Sequence, residues 1–283
     1  MTDSPLTSVA VAGVQMDIAF GNVSSNLQRI EGLIHSPQLA TARLVVFPEC
    51  TLTGYCYESK DEAWPVAEKI PGPTTQAVID LARSSNKYLV VGMLERDGKD
   101  LFNALILVGP NGIVGKYRKV HLPYLGVDRF TSPGNDCFPV FDLGFLKLGL
   151  AICYDGSFPE SIRVLALSGA DLVALPTNWP PGSEVFAEHL PSVRAMENHI
   201  YFLTVNRVGI EREFEFIGQS KFCIPTGRIV ASAGATEESV LLSTVLPAIA
   251  RQKRLERLPG KHSIDRWADR RPEMYASICN PKQ

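Results

Sequence analysis

The sequence lacks the features that mark several classes of protein. Among its 283 residues, no apolar stretch approaches the ~20 residues that a membrane span requires, so no membrane partner is expected. The N-terminus, MTDSPLTSVAVAGVQMD, has neither the basic start nor the long apolar run of a signal peptide. We therefore expect a cytoplasmic protein.

Cysteine pairs and basic runs are also missing. The six cysteines are scattered and none forms a C-x-x-C pair, which argues against a zinc site or a thioredoxin-like motif. In a reducing cytosol we expect all of them to be free thiols. The formal net charge is −2 and no long basic run is present, so nucleic acid is not an expected partner.

Apolar runs rich in Val, Ile and Leu alternate along the chain with helical patterns. Strands outnumber helices and several are apolar on both faces, which predicts sheets covered by helices in an α/β layered fold. No repeat, linker or break in composition divides the chain, so we predict one domain over residues 1–283. The tail from about residue 247 is charged, and its sequence does not predict a role in the core. We interpret its basic cluster, residues 251–261, as solvated or in subunit contacts.

Local signals place the predicted helix ends. Ser24 or Ser25 suits the N-cap of the first helix. The S-x-x-E pattern of residues 157–160 predicts a capping box at the start of a later helix. The helical pattern GSEVFAEHLPSVRAMENH contains Pro191, where we expect a kink or a split.

Three predicted strands end in polar side chains that a core does not tolerate alone. Glu49 follows LVVFP, Lys119 lies in GKYRKVHLP and Cys153 follows LGLAI. Catalytic residues gather outside the carboxyl ends of strands in α/β folds, and a buried carboxylate or ammonium is costly unless paired. The pattern therefore favours a shared site. The alternative is that Glu49 caps a helix, Lys119 lies on the surface and Cys153 packs in the core.

Together these three groups have a definite chemistry. A thiol is mostly neutral at neutral pH, with a reference pKa of about 8.5. A carboxylate within reach accepts its proton during attack on a carbonyl, and an ammonium stabilises the oxyanion of a tetrahedral intermediate. The N–H of Tyr154, in the turn after the cysteine, is a second candidate oxyanion donor. Such acyl transfer through a thioester needs no histidine, no metal and no organic cofactor.

The motifs around these residues resemble those of the nitrilase superfamily of carbon–nitrogen hydrolases, in the family's order and over nearly the whole chain. ARLVVFPECTLTGY resembles the glutamate motif, GKYRKVHLP the lysine motif and LGLAICYDGSFPESIRVLALSGADLVALPTNWP the cysteine motif. The segments VAGVQMD…GNVSSNLQRI, RAMENHIYFLTVNRVG and RPEMY are also similar to family segments. The resemblance implies a four-layer α-β-β-α sandwich.

The resemblance also implies roles and assembly. It makes Glu49 the general base, Lys119 the stabiliser of the oxyanion and the intermediate, and Cys153 the nucleophile. Family members commonly pair through an α-β-β-α face, so a homodimer or a larger homo-oligomer is expected.

One departure from the family pattern concerns the loop HLPYLGVDRFTSPGND. Many family members carry a second glutamate here, which positions substrate, and this loop contains none. Asp128 is the nearest acid at a similar place. Either it substitutes as the second acid, with its carboxylate displaced by about one bond length, or it pairs with Arg129 as a loop brace.

Other positions are candidates for binding substrate. Asn178 and Trp179 end a predicted strand on the presumed face of Cys153. They either line the pocket, which we favour, or have a structural role. Tyr55 and Tyr124 either line the site or pack.

Two further features lie near the motifs. Arg194 and Glu197 stand three apart on a predicted helix, which favours a structural salt bridge. Cys50 is adjacent to Glu49 and is the other cysteine that we expect near the site. The remaining cysteines are expected to be structural.

The residues after the nucleophile favour one branch of the family. Nitrilases often carry C-W-E, whereas this chain has C-Y-D, which looks more like the amidase and carbamoylase branches. We therefore predict hydrolysis of a small carboxamide or N-carbamoyl compound with release of ammonia. One alternative is a nitrilase that converts a nitrile to a carboxylic acid. Another is a non-catalytic interaction protein on the same fold, which we expect to have lost a triad residue, whereas this chain retains all three.

Overall fold

Two six-stranded sheets form the centre of the protein. The computed structural model describes residues 8–280, so residues 1–7 and 281–283 of the predicted domain lie outside the described residues. The strands are β1 (Val9–Gln15), β2 (Leu44–Val46), β3 (Tyr88–Asp97), β4 (Asp100–Gly109), β5 (Gly112–Arg118), β6 (Val140–Asp142), β7 (Lys147–Leu150), β8 (Leu172–Pro176), β9 (Tyr201–Val205), β10 (Ile210–Glu211), β11 (Phe214–Glu215), β12 (Lys221–Cys223), β13 (Ile229–Ser232), β14 (Ser239–Val245), β15 (Arg254–Leu258) and β16 (His262–Asp265). The helices are α1 (Val23–Ile34), α2 (Lys60–Ala63), α3 (Pro73–Ser85), α4 (Pro159–Leu167), α5 (Glu184–Asn198) and α6 (Pro247–Arg251).

The two sheets are built on the same plan. Their strand orders are β14-β1-β2-β3-β4-β5 and β13-β12-β9-β8-β7-β6. Strands β1, β2 and β3 are parallel in the first sheet, and β7, β8 and β9 are parallel in the second. Parallel neighbours need a crossover connection, which α1 and α3 provide in the first sheet and α4 and α5 in the second.

Alternation along the strands of the first sheet separates two apolar layers. Val11 and Val46 belong to the core cluster that also contains the strands of the second sheet, so the two sheets pack face to face. Ala12 and Val45 point the other way, into a cluster with α1 and α3. Helices α4 and α5 pack on the far side of the second sheet within the first cluster. The expected α-β-β-α order of layers is therefore confirmed.

Two local expectations about helices are wrong, and of the two outcomes expected at Pro191, the split is absent. Helix α1 is capped by the side chain of Asn22, which accepts from the N–H of Ser25 at 3.0 Å, because the helix starts two or three residues earlier than the serines suggest. The capping box is absent, because Ser157 ends a 3-10 turn and Phe158 occupies the N-cap of α4 without a side-chain bond. Helix α5 runs through Pro191 without a split.

The start of the C-terminal tail belongs to the folded body, contrary to the expectation of no core role. Ala250 of α6 is fully buried. Arg251 forms a bidentate ion pair with the buried Asp171, at 2.8 and 2.7 Å, and Trp267 packs against the core. These contacts were not predictable from the sequence, because each involves a single side chain within a charged segment and produces no periodic apolar pattern. Among residues 8–280, no helix is both long and apolar enough to span a bilayer.

Candidate active site

The three candidate residues come from loops at the ends of both sheets. Glu49 lies three residues after β2 and Lys119 directly follows β5, so both come from the first sheet. Cys153 comes from the second sheet and begins a 3-10 turn, Cys153–Ser157. The predicted strand up to Cys153 is too long. Strand β7 ends at Leu150, and the N–H of Ile152 donates to a turn side chain instead of a strand.

The turn that carries Cys153 is held by Asp155, a fully buried residue to which the sequence assigned no role. Its carboxylate accepts from the hydroxyl of Tyr117 at 2.7 Å and from the N–H of His121 at 2.9 Å. These two residues flank Lys119, so Asp155 connects the turn of Cys153 to the loop of Lys119. The φ of Cys153 is +44°, in the left-handed region that non-glycine residues rarely adopt. The sequence feature that could have indicated this role is the acidic residue two positions after Cys153.

A buried ion pair joins Lys119 to Glu49. Nζ lies 2.7 Å from Oε1, and both side chains are fully buried. The turn with Glu49 passes so close to β3 that a Cβ on Gly92 would lie 2.3 Å from the backbone nitrogen of Cys50. Glycine is therefore needed at this position. The burial and pairing exclude the alternative of a helix cap and a surface lysine.

Asp128 completes this charge cluster. Its Oδ2 lies 2.5 Å from Nζ of Lys119 and accepts from the hydroxyl of Tyr55 at 2.7 Å. The guanidinium of Arg129 instead donates to two backbone carbonyls at 3.1 and 3.0 Å. The alternative of a brace between Asp128 and Arg129 is therefore wrong. One ammonium therefore faces two carboxyl groups in a buried site.

Asn103 of β4 links the two carboxylates. Its Nδ2 donates to Oε1 of Glu49 at 2.7 Å and to Oδ1 of Asp128 at 3.0 Å. Its Oδ1 accepts from the thiol of Cys50, with sulfur and oxygen 3.5 Å apart. The sequence analysis missed this residue. A lone amide in the apolar run LFNALILVG was the available signal, because a buried polar group needs a partner.

Burial and charge shift the pKa values of the cluster. Burial raises the pKa of Glu49 against the opposing effect of Lys119, and Asp128 adds to the increase. Burial acts to lower the pKa of Lys119, but Asp128 and Glu49 hold that pKa well above its usual range. Burial and Glu49 raise the pKa of Cys153 well above its usual range, and Lys119 offsets this only in part. The side chain of Cys153 is therefore a neutral thiol at rest beside a charged ammonium.

Several buried polar atoms at the site have no hydrogen-bond partner among the described residues. They are Oε2 of Glu49, both side-chain polar atoms of Asn178 and the hydroxyl of Thr177. The backbone N–H of Asn178 acts to lower the pKa of Cys153, which puts Asn178 beside that thiol. In residues 8–280 no three or more His, Cys, Asp or Glu side chains are grouped to hold a metal ion. Unpartnered buried groups are rare, and these are available to a polar ligand.

The remaining candidate residues differ in their surroundings. Tyr55 is buried beside the charge cluster, and Trp179 packs in the same core cluster as Cys153. Tyr124 is 91% exposed, so packing, one of its two expected roles, is wrong. It borders an open depression of about 670 Å³. The ring of Tyr154 is partly exposed, and its N–H lies in the turn that begins at Cys153.

The predicted salt bridge on α5 is present and has a second contact. Arg194 and Glu197 lie 3.0 Å apart. The Nε of Arg194 also donates to the carbonyl of Gly156, at 3.1 Å, inside the turn that begins at Cys153. Helix α5 therefore supports the turn that begins at Cys153.

Comparison with known proteins gives a consistent family. The carbon-nitrogen hydrolase family model matches residues 10–254. A protein of Pyrococcus abyssi named nitrilase is 42% identical over 94% of this chain and 99% of its own length. The N-carbamoylputrescine amidase of Solanum lycopersicum is 31% identical over 94% of this chain and 93% of its own length. The crystal structure of Saccharomyces cerevisiae Nit3, a member of branch 10 of the nitrilase superfamily, has a TM-score of 0.78 at 26% identity and covers 90% of this chain and 96% of that chain.

Proposed function

The chain belongs to the carbon-nitrogen hydrolase family, and we propose that Glu49, Lys119 and Cys153 carry out its hydrolysis of non-peptide C–N bonds. The substrate that we propose is a small carboxamide or N-carbamoyl compound. The observation that supports these roles is the free Oε2 of Glu49, in a buried pair with Lys119, beside a neutral thiol. A neutral thiol needs a base, and this carboxylate oxygen is unoccupied.

In the first half-reaction, Sγ of Cys153 attacks the carbonyl carbon and its proton passes to Oε2 of Glu49. A carboxyl whose pKa is raised by burial suits proton exchange near neutral pH. The ammonium of Lys119 and the N–H of Tyr154 stabilise the oxyanion. The C–N bond then breaks, the leaving nitrogen takes the proton from Glu49, and ammonia departs from a thioester.

In the second half-reaction, water replaces ammonia. Glu49 accepts a proton from the water as its oxygen attacks the thioester carbonyl. The C–S bond breaks, the carboxylic acid leaves, and the proton returns to Sγ of Cys153. An N-carbamoyl substrate gives a carbamic acid at this stage, which loses carbon dioxide to leave the amine.

In this proposal, one neighbour of the triad positions Lys119 and another binds the substrate. Asp128 acts as the second acid, because its carboxylate forms a second buried ion pair with Lys119 beside that of Glu49. The unpartnered amide of Asn178 binds a polar group of the substrate. Trp179 and Tyr55 contribute bulk to the pocket.

A nitrile is the second candidate substrate, because a relative at 42% identity is named a nitrilase. The same triad adds water to a C≡N carbon through a thioimidate. The sequence C-Y-D after the strand and the similarity to an N-carbamoylputrescine amidase favour amides or carbamoyl compounds.

The test is ammonia release from matched amides, N-carbamoyl compounds and nitriles, with wild type and Cys153→Ala side by side. We expect release from amides or carbamoyl compounds that depends on Cys153, with nitriles inert. Release from nitriles alone would keep the triad and overturn the substrate class. Release that persists in Cys153→Ala would overturn the triad. If no compound is turned over and Cys153 reacts with iodoacetamide no faster than a free thiol, the result would favour a non-catalytic interaction protein on the same fold.

We further propose that two copies pair through the helical layer of the second sheet. The outer faces of α4 and α5 expose Val164, Leu167, Val193 and Met196, an apolar set that a partner would cover. Light scattering should give a dimer mass for the wild type and a monomer mass for Val164→Glu/Met196→Glu. A dimer that survives the double substitution would contradict this surface.

We also propose one domain over residues 1–283 and a cytoplasmic location. All six cysteines are free thiols, which suits a reducing compartment. A single cooperative unfolding transition and recovery in the cytosolic fraction are the expected results.

A further inference from the structure

The two oxygens of Glu49 have different surroundings. Oε1 accepts from Nζ of Lys119 and from Nδ2 of Asn103, both at 2.7 Å. Oε2 is buried and accepts from no group among the described residues. A carboxylate held by two donors on one oxygen cannot rotate freely, so the other oxygen has a fixed direction.

Asn103 can support this arrangement only in one orientation of its amide. The Nδ2 atom has two hydrogens, and one points to Glu49 and the other to Asp128. The opposite orientation would place Oδ1 against two carboxylates and remove both bonds. The two carboxylates therefore favour the observed orientation, and a donor that interacts with Oδ1 would add to this preference.

Cys50 provides that interaction. Its thiol donates to Oδ1 of Asn103. The cysteine is fully buried, and its φ of +50° lies in the left-handed region. Burial raises the pKa of Cys50 well above its usual range. The sulfur therefore keeps its hydrogen and remains a donor.

We propose that Cys50 and Asn103 are positioning residues for Glu49: the thiol fixes the amide, and the amide fixes Oε1, so that Oε2 exchanges the proton with Cys153. This inference rests on the proposed function, because it takes Glu49 to be the base. It gives the second buried cysteine at the site a role that does not depend on nucleophilicity.

The expected signature is a change in the pH profile. The groups that face Glu49 are the ammonium of Lys119, the carboxylate of Asp128, the thiols of Cys50 and Cys153 and the hydroxyl of Tyr55.

Glu49 must be ionised to accept a proton, so activity falls as the pH falls through its pKa. Asn103 stabilises the ionised form. Its loss raises that pKa and moves the acid limb to higher pH.

The experiment measures the rate at which iodoacetamide alkylates Cys153 between pH 5 and 9, resolved by peptide mass spectrometry. This readout needs no knowledge of the substrate. For Asn103→Leu we expect the acid limb to rise by about one to two pH units, the worth of one hydrogen bond to a charged group. Cys50→Ala should raise the acid limb by less than about one pH unit, because it removes a hydrogen bond between two neutral groups. Cys50→Ser keeps a donor and should restore the wild-type limb.

The control is Cys56→Ala, which removes another buried thiol from the same loop and should leave the limb unchanged. If Asn103→Leu does not fold, Asn103→Asp replaces it, and a third carboxylate should raise the limb further. Variants that slow alkylation equally at all pH values would reduce Cys50 and Asn103 to packing residues and overturn the inference. A wild type with no acid limb, and the same rate as Glu49→Gln, would instead overturn the proposed base itself.

Discussion

Replacing Asp128 by asparagine removes one charge from the buried cluster at almost constant volume. All three neighbours of this carboxylate are donors: Lys119 at 2.5 Å, Tyr55 at 2.7 Å and Asn103 at 3.0 Å. An asparagine has one oxygen and one NH2 group, so in either orientation its NH2 faces a donor. The substitution therefore cannot be accommodated by turning the amide.

The expected loss follows from this mismatch. A hydrogen bond to a charged group contributes about 1.5–3 kcal/mol, and each 1.36 kcal/mol of barrier changes a rate by about tenfold. We therefore expect kcat/KM to fall by about 10- to 150-fold in Asp128→Asn. The carboxylate of Asp128 also raises the pKa of Glu49. Its removal lowers that pKa, so the acid limb should move to lower pH.

The assay is the pH profile of kcat/KM on whichever substrate releases ammonia. Asp80→Asn is the control, because Asp80 is an exposed residue that pairs with Arg83 on α3. It should leave rate and profile unchanged. A loss below about tenfold, about 1.4 kcal/mol, together with an unmoved acid limb would refute the reasoning and leave Asp128 as a structural residue of the loop.

Two further predictions concern the scaffold. Arg251→Ala should lower the free energy of unfolding by about 1–3 kcal/mol in urea denaturation, because it leaves the buried Asp171 without its bidentate partner; Arg83→Ala, which breaks an exposed pair, should cost less than about 1 kcal/mol. Gly92→Ala should lower both the melting temperature and the activity, because its Cβ would lie 2.3 Å from the backbone nitrogen of Cys50. Wild-type activity in that variant would show that the turn with the base tolerates displacement.

The layers of the fold follow directly from local patterns in the sequence. Val45 and Val46 are both apolar because one faces a helix layer and the other faces a second sheet, and such runs predict strands that are buried on both faces. Helix ends were less predictable. Asn22 caps α1 although two serines follow it, since a cap depends on where the chain enters the helix and several residues compete for the position.

The site was predictable only where its residues stand next to recognisable strands. Glu49, Lys119 and Cys153 each follow an apolar run closely, so their positions at strand ends were visible. Asn103 contacts Glu49 across 54 positions of sequence, and no local pattern records that contact. Whether Asp128 pairs with Arg129 or with Lys119 likewise depends on the conformation of the loop, which cannot be predicted from the loop's sequence.

The cluster also shows why the base needs more than a lysine beside it. A lone Lys119 would stabilise the ionised form of Glu49 and make it a weak base. Asp128 shares the same ammonium and adds a negative charge, which raises the pKa of Glu49 again. Asn103 donates to both carboxylates and limits that increase. Burial is the largest cause that raises the pKa of Glu49, and Lys119 opposes it. The charge of Asp128 and the amide of Asn103 adjust that pKa further, so substitutions of these two residues should move it in opposite directions.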